Sequence, residues 1–469
     1  MTMGPRFKNL DRDTPLLLPP NLRDWLPAAP LVHFVLDAVE TLDLRGFRVN
    51  ERGTGDEQFP PSVMLALLIY CYATGTFSSR RIEQATHDSV PVRVLTADTH
   101  PDHDTICTFR RQNKVLFTEC FVKILQLAHE LKVAQFGQVT VAADGTKVLA
   151  NASKHSAVSY ERAGQMIAQL ELEVQQLVAK AEAADTTPLD DGLKIPDEIV
   201  RRRERQAQLA KARAEIETRA HARYAAQLAE HEEKMAARAA RQDRGEKVRG
   251  PGPKAPTPEP QPRDQYNFTD PESRIMKAGT GEHFEQAYNA QAAVTVDSRL
   301  IVGERVTPAP NDKEQLVADV AAIPSAVTDV AAVLVDNGFY SEAAVRAVEQ
   351  TAAGQPCGTV VYAAVEKTGH HRSVADLEKK ADPEPPPAGA SVTSVMRYRL
   401  QTKAGKALYI LRQQTVEPVF GILKSVLGFR QFRLRGLEKV SLEWTLVCLS
   451  YNFRRLHRLG LGAKLAAAG

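Results

Sequence analysis

From about residue 161 to residue 264 the chain carries only helical and proline-rich sequence, yet strand-like segments stand on both sides of it. Any sheet must therefore form across an insertion of that length. Before it, "FGQVTVAADG" alternates and is rich in β-branched residues, which predicts a strand ending at Asp144. After it come the strands "HFEQAYNAQAAVTV" and "LIVGERVT", a helix at "NDKEQLVADVAAI", the strand "AAVLVDNGF", the helix "SEAAVRAVEQ" and the strand "TVVYAAV". The last helices are "TVEPVFGILKSVLG" and "LEKVSLEWTLVCLSYNFRRL", beyond a proline-rich segment over 366–395. Setting the insertion aside leaves the order β, β, β, α, β, α, β, α. Three hairpin-connected strands followed by crossover helices make a mixed sheet covered on both faces.

That order is the order of a ribonuclease-H-like α/β sheet, expected over 133–160 and 265–430. The insertion, 161–264, reads as an antiparallel helical hairpin. Ile167, Leu170, Val174, Leu177, Ala181 and Ala184 step by three and four along one narrow seam. A break at "TTPLDDGLKIP" and a second helix over 197–243 follow, and "GPGPKAPTPEPQPRD" closes the insertion as an extended linker. Ahead of the sheet, 1–59 is irregular to helical and 60–132 is an all-α unit. Pro61 suits a first helical position and Gly75 a C-terminal cap. "PDHDTICTFRRQNKVLFTECFVKILQLAHELK" predicts one long helix from about Asp104. Arg80, Arg81, Arg110 and Arg111 are expected near the helix starts.

Length and charge narrow the function. A chain of 469 residues exceeds the roughly 100–200 of one domain. Five cysteines without C-x-x-C spacing argue against a disulfide framework or a zinc knuckle. "PLLLPP" is too short and too broken for a signal segment. "VMLALLIYCYATG" falls short of the ~18 residues of a membrane span, so a cytoplasmic protein with no membrane partner is expected. From Arg397 onward there are 14 Lys and Arg against 3 acids, a surplus of 11, which leaves the rest of a +3 chain at −8. A polyanion belongs at that basic C-terminal region, 431–469 and the residues just before it.

The acids sit where such a ligand would need them. Asp144 is expected at the end of the first strand, Asp336 at the end of the fourth and Glu417 in a first helical turn, with Thr415 as cap, because Pro418 is tolerated only there. Strand ends of an α/β sheet gather ligands. Three carboxylates without a cysteine or histidine companion suit hard cations, two Mg²⁺ or Mn²⁺ ions, and hence in-line displacement at phosphorus. Val416, Val419, Phe420, Leu423 and Leu427 form the core face of the Glu417 helix. Lys424, two turns on, shares the face of Glu417 and can meet a phosphate, and Arg430, Arg433 and Arg435 extend the basic surface.

These residues resemble a family. "VAADGTKVLANAS", "VLVDNGFYS" and "YILRQQTVEPVFGILK" are similar to the three acidic motifs of bacterial insertion-sequence transposases of the DDE class, cut-and-paste enzymes with a ribonuclease-H-like catalytic domain. "YCYATGTFSSRRIEQAT" and "PDHDTICTFRR" resemble their helical DNA-binding domain, which implies that Arg80, Arg81, Arg110 and Arg111 contact DNA. The resemblance implies that Asp144, Asp336 and Glu417 bind the metals. It implies a homodimer acting on double-stranded DNA, the terminal inverted repeats and a target, by strand cleavage and strand transfer. It also implies a tyrosine, an arginine and a lysine around the glutamate, here Tyr409, Arg412 and Lys424, although Arg412 precedes Glu417 by five residues where the pattern has four.

Other residues carry plainer readings. Asp312, beside Asn311, reads first as the cap of the next helix and second as an aid to the site. His103 reads as a turn residue and Trp444 as core. Two rival functions stay open: a stand-alone metal-dependent nuclease that cuts without joining, and a DNA-binding regulator that has lost catalysis.

Overall fold

A computed structural model describes residues 21–26, 30–47, 58–184, 194–243, 245, 251–277, 283–351, 353–365, 381–387 and 389–468. The segment "PLLLPP", most of the break at 186–196 and the proline-rich stretch 366–380 lie outside the described residues.

The alternation of "VTVAADGTKVL" makes strand β1, Gln138–Leu149. Asp144 therefore sits inside this strand rather than at its end. The short strands β2 (Ala157–Ser159) and β3 (Gln265–Asn267) pair with each other at the foot of the insertion. Beyond them run β4 (Arg274–Lys277), β5 (Phe284–Thr295), β6 (Ile301–Thr307), β7 (Asp329–Val335) and β8 (Val360–Ala363). In the main sheet β5 pairs antiparallel with β1 on one side, and with β6 and β4 on the other. β1 then pairs parallel with β7, and β7 with β8. The sheet is thus mixed, with helices packed on it.

One irregularity of this sheet opens a gap beside β1. The β1–β7 ladder stops at Ala142↔Leu334 while β1 continues to Leu149 along β5. Past Ala142, one edge of β1 is bare until Leu149, whose backbone bonds the segment around Gln431. The result is a notch in the sheet at residues 143–148.

Among the described residues six α-helices precede the sheet: α1 (Leu31–Glu40), α2 (Pro61–Ala73), α3 (Ser79–Asp88), α4 (Val90–Leu95), α5 (His103–Gln112) and α6 (Lys114–Glu130). The single long helix expected near Asp104 is two helices, capped by the Asp102 carboxylate and broken at Asn113. Asn113 turns its side chain back to the Phe109 carbonyl, which competes with helix continuation.

In the insertion, α7 (Tyr160–Ala184) and α8 (Ile195–Asp243) lie antiparallel. The pairings Arg213 over the Tyr160 ring and Arg202 with Glu173 fix the direction. Val174 of the expected seam is buried, and Ala163, Leu209, Ala212 and Ile216 join Val158 and Tyr266 in a small core of their own.

After β6 come α9 (Leu316–Ala321) and, after β7, α10 (Glu342–Glu349). The proline-rich reading of 366–395 overlooked the start of helix α11 (Val392–Gln401), capped by Ser391. Helix α12 (Lys403–Gly421) is capped by Thr402, so Glu417 lies near its C-terminal end and not in its first turn. The expectation failed because Pro418 is exposed and its missing N–H frees only the carbonyl of Gln414, itself exposed, which water can satisfy. A π-helical turn, Ile422–Val426, follows. Helices α13 (Leu437–Arg458) and α14 (Leu461–Ala468) end the chain. α13 is buried without interruption from Leu442 to Phe453 and packs between the N-terminal helices and β6. Among the described residues no helix is long and apolar enough to cross a membrane.

Candidate active site

The site is built on the notch. Asp144 projects there from β1, and its Oδ1 turns back to accept the N–H of Gly145 at 2.8 Å. Asp336 follows the last residue of β7, and its Oδ1 accepts the N–H of Gly338 at 2.7 Å. Tyr409 of α12 donates its hydroxyl to the Val335 carbonyl at 2.9 Å, and Asn337 donates to Ala364 at 2.8 Å. These two bonds hold the strand end that presents Asp336.

Helix α12 lies over the notch with Val416, Val419 and Phe420 buried, as expected, and with Arg412 turned inward. The Arg412 guanidinium stands 3.7 Å from Asp144 and 3.5 Å from Glu417. The side chain of Arg412 is 11% exposed and that of Glu417 51%. The additional residue between Arg412 and Glu417 thus leaves the arginine facing both carboxylates. Lys424, in the π-helical turn, donates to the backbone carbonyl of Lys147 at 2.6 Å and so fills one bare acceptor of the notch.

Crowding of acids is the electrostatic signature of this place. Burial, then the charge of Asp336, pushes the Asp144 carboxyl up to about 7, with Asp312 adding to the rise and the Gly145 N–H and Arg412 opposing it. Burial, then Arg430 and Lys147, brings Lys424 down to about 8. Asp144 and Asp336 fit a divalent cation in donor chemistry, since hard anionic oxygens that repel each other are relieved by one. Glu417 instead faces Arg412. Among the described residues no three His, Cys, Asp or Glu side chains are gathered closely enough to hold an ion.

Asp312 does not cap a helix. α9 starts later, after Gln315, and Asp312 Oδ1 accepts from Asn289 Nδ2 and Gln291 Nε2 of β5, both at 2.6 Å. Sequence reading missed Lys147, Asn289 and Gln291. The signal was there: a lysine in "DGTK" and two amides in the otherwise small and apolar "AYNAQAAV" are polar residues on a strand that is buried on both faces. Asn311 is exposed. His103 opens α5 and pairs with Glu83, and Trp444 is core, donating its indole N–H to the Gln291 carbonyl at 2.9 Å.

Of the arginines expected to meet DNA, Arg80, Arg81, Arg111, Arg430, Arg433 and Arg435 are exposed. Arg110 is not. It is 2% exposed, bonds the Tyr72 hydroxyl at 2.6 Å and the Phe77 carbonyl at 3.3 Å, and faces the buried Glu443. A guanidinium so enclosed cannot reach a phosphate. Arg110 and Arg111 lie in the last turn of α5, whereas Arg80 and Arg81 do open α3.

Two family models match. A transposase DDE domain matches residues 386–457, which carry Tyr409, Arg412, Glu417, Lys424 and the arginines up to Arg435. A transposase domain, DUF772, matches residues 21–112, covering α1 to α5. Asp144 and Asp336 lie outside both matches. No curated protein and no solved structure matches the chain.

Proposed function

The two family matches indicate an insertion-sequence transposase of the DDE class, and from that premise we propose that the chain binds the terminal inverted repeats of its element, nicks them and joins the freed ends to target DNA. The observation that carries the reading is the meeting of Asp144, Asp336 and the Arg412–Glu417 end of α12 at one notch. The run of antiparallel β6, β5 and β1 followed by parallel β7 and β8 supports a ribonuclease-H-like catalytic domain.

Asp144 and Asp336, joined by Glu417, are the residues that would hold divalent ions, Mg²⁺ or Mn²⁺. Such ions, when bound, would activate the attacking oxygen and stabilise the leaving one. Arg412 keeps Asp144 and Glu417 on one charge and sets their separation until substrate arrives. Lys424, anchored on the Lys147 carbonyl, has two N–H donors left for a phosphate oxygen. Tyr409 fixes the β7 end and with it Asp336. In the first step water adds to phosphorus and the 3′-oxygen departs. In the second, that 3′-hydroxyl attacks a target phosphodiester, so one P–O bond is exchanged for another. Arg80, Arg81, Arg111, Arg430, Arg433 and Arg435 supply phosphate contacts, and a homodimer brings two ends together.

The test is nicking of a labelled duplex carrying the inverted repeat that flanks the gene, with Mg²⁺. Wild type is expected to nick at the repeat boundary. Asp336→Asn and Glu417→Ala should still bind but lose nicking by at least about 1,000-fold, the scale at which removal of preorganised charge stabilisation acts. Equal nicking by all three would refute the site. Binding without cleavage by wild type would favour the regulator, and cleavage without joining the nuclease.

A further inference from the structure

One cation of the notch, Lys147, takes no part in the proposed reaction. Lys147 lies on β1 three residues beyond Asp144, and its Nζ is buried without a hydrogen bond to any described residue. Burial weakens its hold on a proton, while Asp312, then Asp144 and Asp336, strengthen it. A buried ammonium in that condition is destabilising unless an anion reaches it.

The surroundings are built rather than accidental. Asp312 Oδ1 takes N–H bonds from both Asn289 and Gln291, which leaves Asn289 Oδ1 and Gln291 Oε1 unbonded although the residues are 0% and 1% exposed. The cluster occupies the space that a side chain at residue 145 would need. A Cβ on Gly145 would stand 2.5 Å from Asp312 Oδ1, 2.5 Å from Gln291 Nε2 and 2.7 Å from Asn289 Oδ1. On the exposed side, Lys424 bonds the Lys147 carbonyl and Arg430 bonds the Lys424 carbonyl at 3.0 Å. Three cations are drawn to one short segment beside two strand acids. An anion with several oxygens, able to face both the cations and the acids' counter-ions, satisfies all of them at once.

We propose that Lys147 is a substrate-contacting residue, its ammonium taking a non-bridging oxygen of the DNA phosphodiester brought to Asp144 and Asp336. This rests on the proposed transposase reading. Its test is therefore arranged to fail separately from that reading. Full-length wild type, Lys147→Met, Lys147→Arg and Asp336→Asn are compared on the repeat duplex. Lys147→Gln serves as a second variant should the thioether pack badly.

With wild type active and Asp336→Asn inactive, Lys147→Met is expected to nick at least about 100-fold more slowly, and Lys147→Arg to recover part of the loss. The melting temperature of Lys147→Met should stay or rise by a few degrees, because an unpartnered ammonium is removed. Nicking by Lys147→Met within twofold of wild type overturns the proposal. So does a lowered melting temperature with nicking not rescued by arginine, which would make Lys147 structural. If wild type itself does not nick, the catalytic reading fails and Lys147 is judged by metal-free binding alone. Loss of one phosphate contact should make the slope of log K against log salt shallower by about 0.9, and an unchanged slope overturns the proposal.

Discussion

Two neighbouring arginines show how much a single residue's position decides. In α5, Arg110 falls four residues after the buried Ile106 and so on the inward stripe, while Arg111 is turned a further 100° to solvent. Arg110 bonds Tyr72 of α2, and Tyr72 and the backbone N–H groups of Arg433 and Leu434 all converge on Glu443. Removing one member of such a buried set leaves charge uncompensated. Arg110→Ala should destabilise the protein by about 3–5 kcal/mol. Arg111→Ala should change stability by less than about 0.5 kcal/mol yet make the salt dependence of DNA binding shallower. Thermal melts and salt titrations of both variants check the contrast, and a shallower slope with Arg110→Ala at unchanged stability would reverse it. The residue types alone did not separate these two, and both were expected to meet DNA; the 3.6-residue spacing from Ile106 is the signal that could have separated them. Lys147 escaped notice for the opposite reason. Its strand was legible, but that one edge of β1 is left unpaired there is set by where β7 ends, which is not local information.

At the scale of elements, the notch depends on β1 outrunning β7 and on β1 coming close to its polar neighbours at Gly145. The ideal side-chain position there lies 2.5 Å from two polar atoms, and one of them belongs to Gln291 in the paired strand. Gly145→Ala should therefore cost about 1–3 kcal/mol through overpacking and slow nicking by displacing Asp144. Gly421, in α12 with nothing within 4 Å of the same position, is the control. Gly421→Ala should stabilise by about 0.5–1 kcal/mol. Denaturant unfolding of the two variants tests both signs, and a neutral Gly145→Ala would mean the strand yields easily. Periodicity located β1, β5, β6, β7, β8 and the core face of α12 because apolar spacing is local information. It misplaced the end of β1 and the start of α12, which are set by non-local facts: where β7 stops, and that Pro418 faces solvent. The acidic motifs were legible as residues, but the placing of Arg412 between Asp144 and Glu417 was not.

At the scale of the molecule, buried apolar residues run as one cluster from Val32 in α1 through the sheet to Leu461 in α14. α13 is its spine, and polar groups enclosed along that spine make the stability of the chain depend on pH. Glu304 of β6 meets α13, where Thr445 donates to its carboxylate at 2.7 Å. Burial pushes the Glu304 carboxyl up to about 7 against the bond from Thr445 and the charge of Lys114 on α6, and Cys448 of α13 is the other titratable group facing it. The folded protein thus holds this proton more tightly than the unfolded chain, whose glutamate titrates near 4.5. The stabilisation is fully present below that unfolded value and is lost as pH rises through about 7. Asp319, raised to about 6 by burial despite its pairing with Arg305, acts in the same direction. Melting temperature should accordingly fall between pH 5 and pH 8. Glu304→Gln keeps an acceptor for Thr445 and removes the ionisation, so it should flatten that fall, gaining up to about 3 kcal/mol over wild type at pH 8 and little at pH 5, at roughly 1.36 kcal/mol for each pH unit between the two values. Melts of both proteins across that range decide it. Parallel profiles would mean that Glu304 stays ionised in the fold, with water reaching it alongside α13.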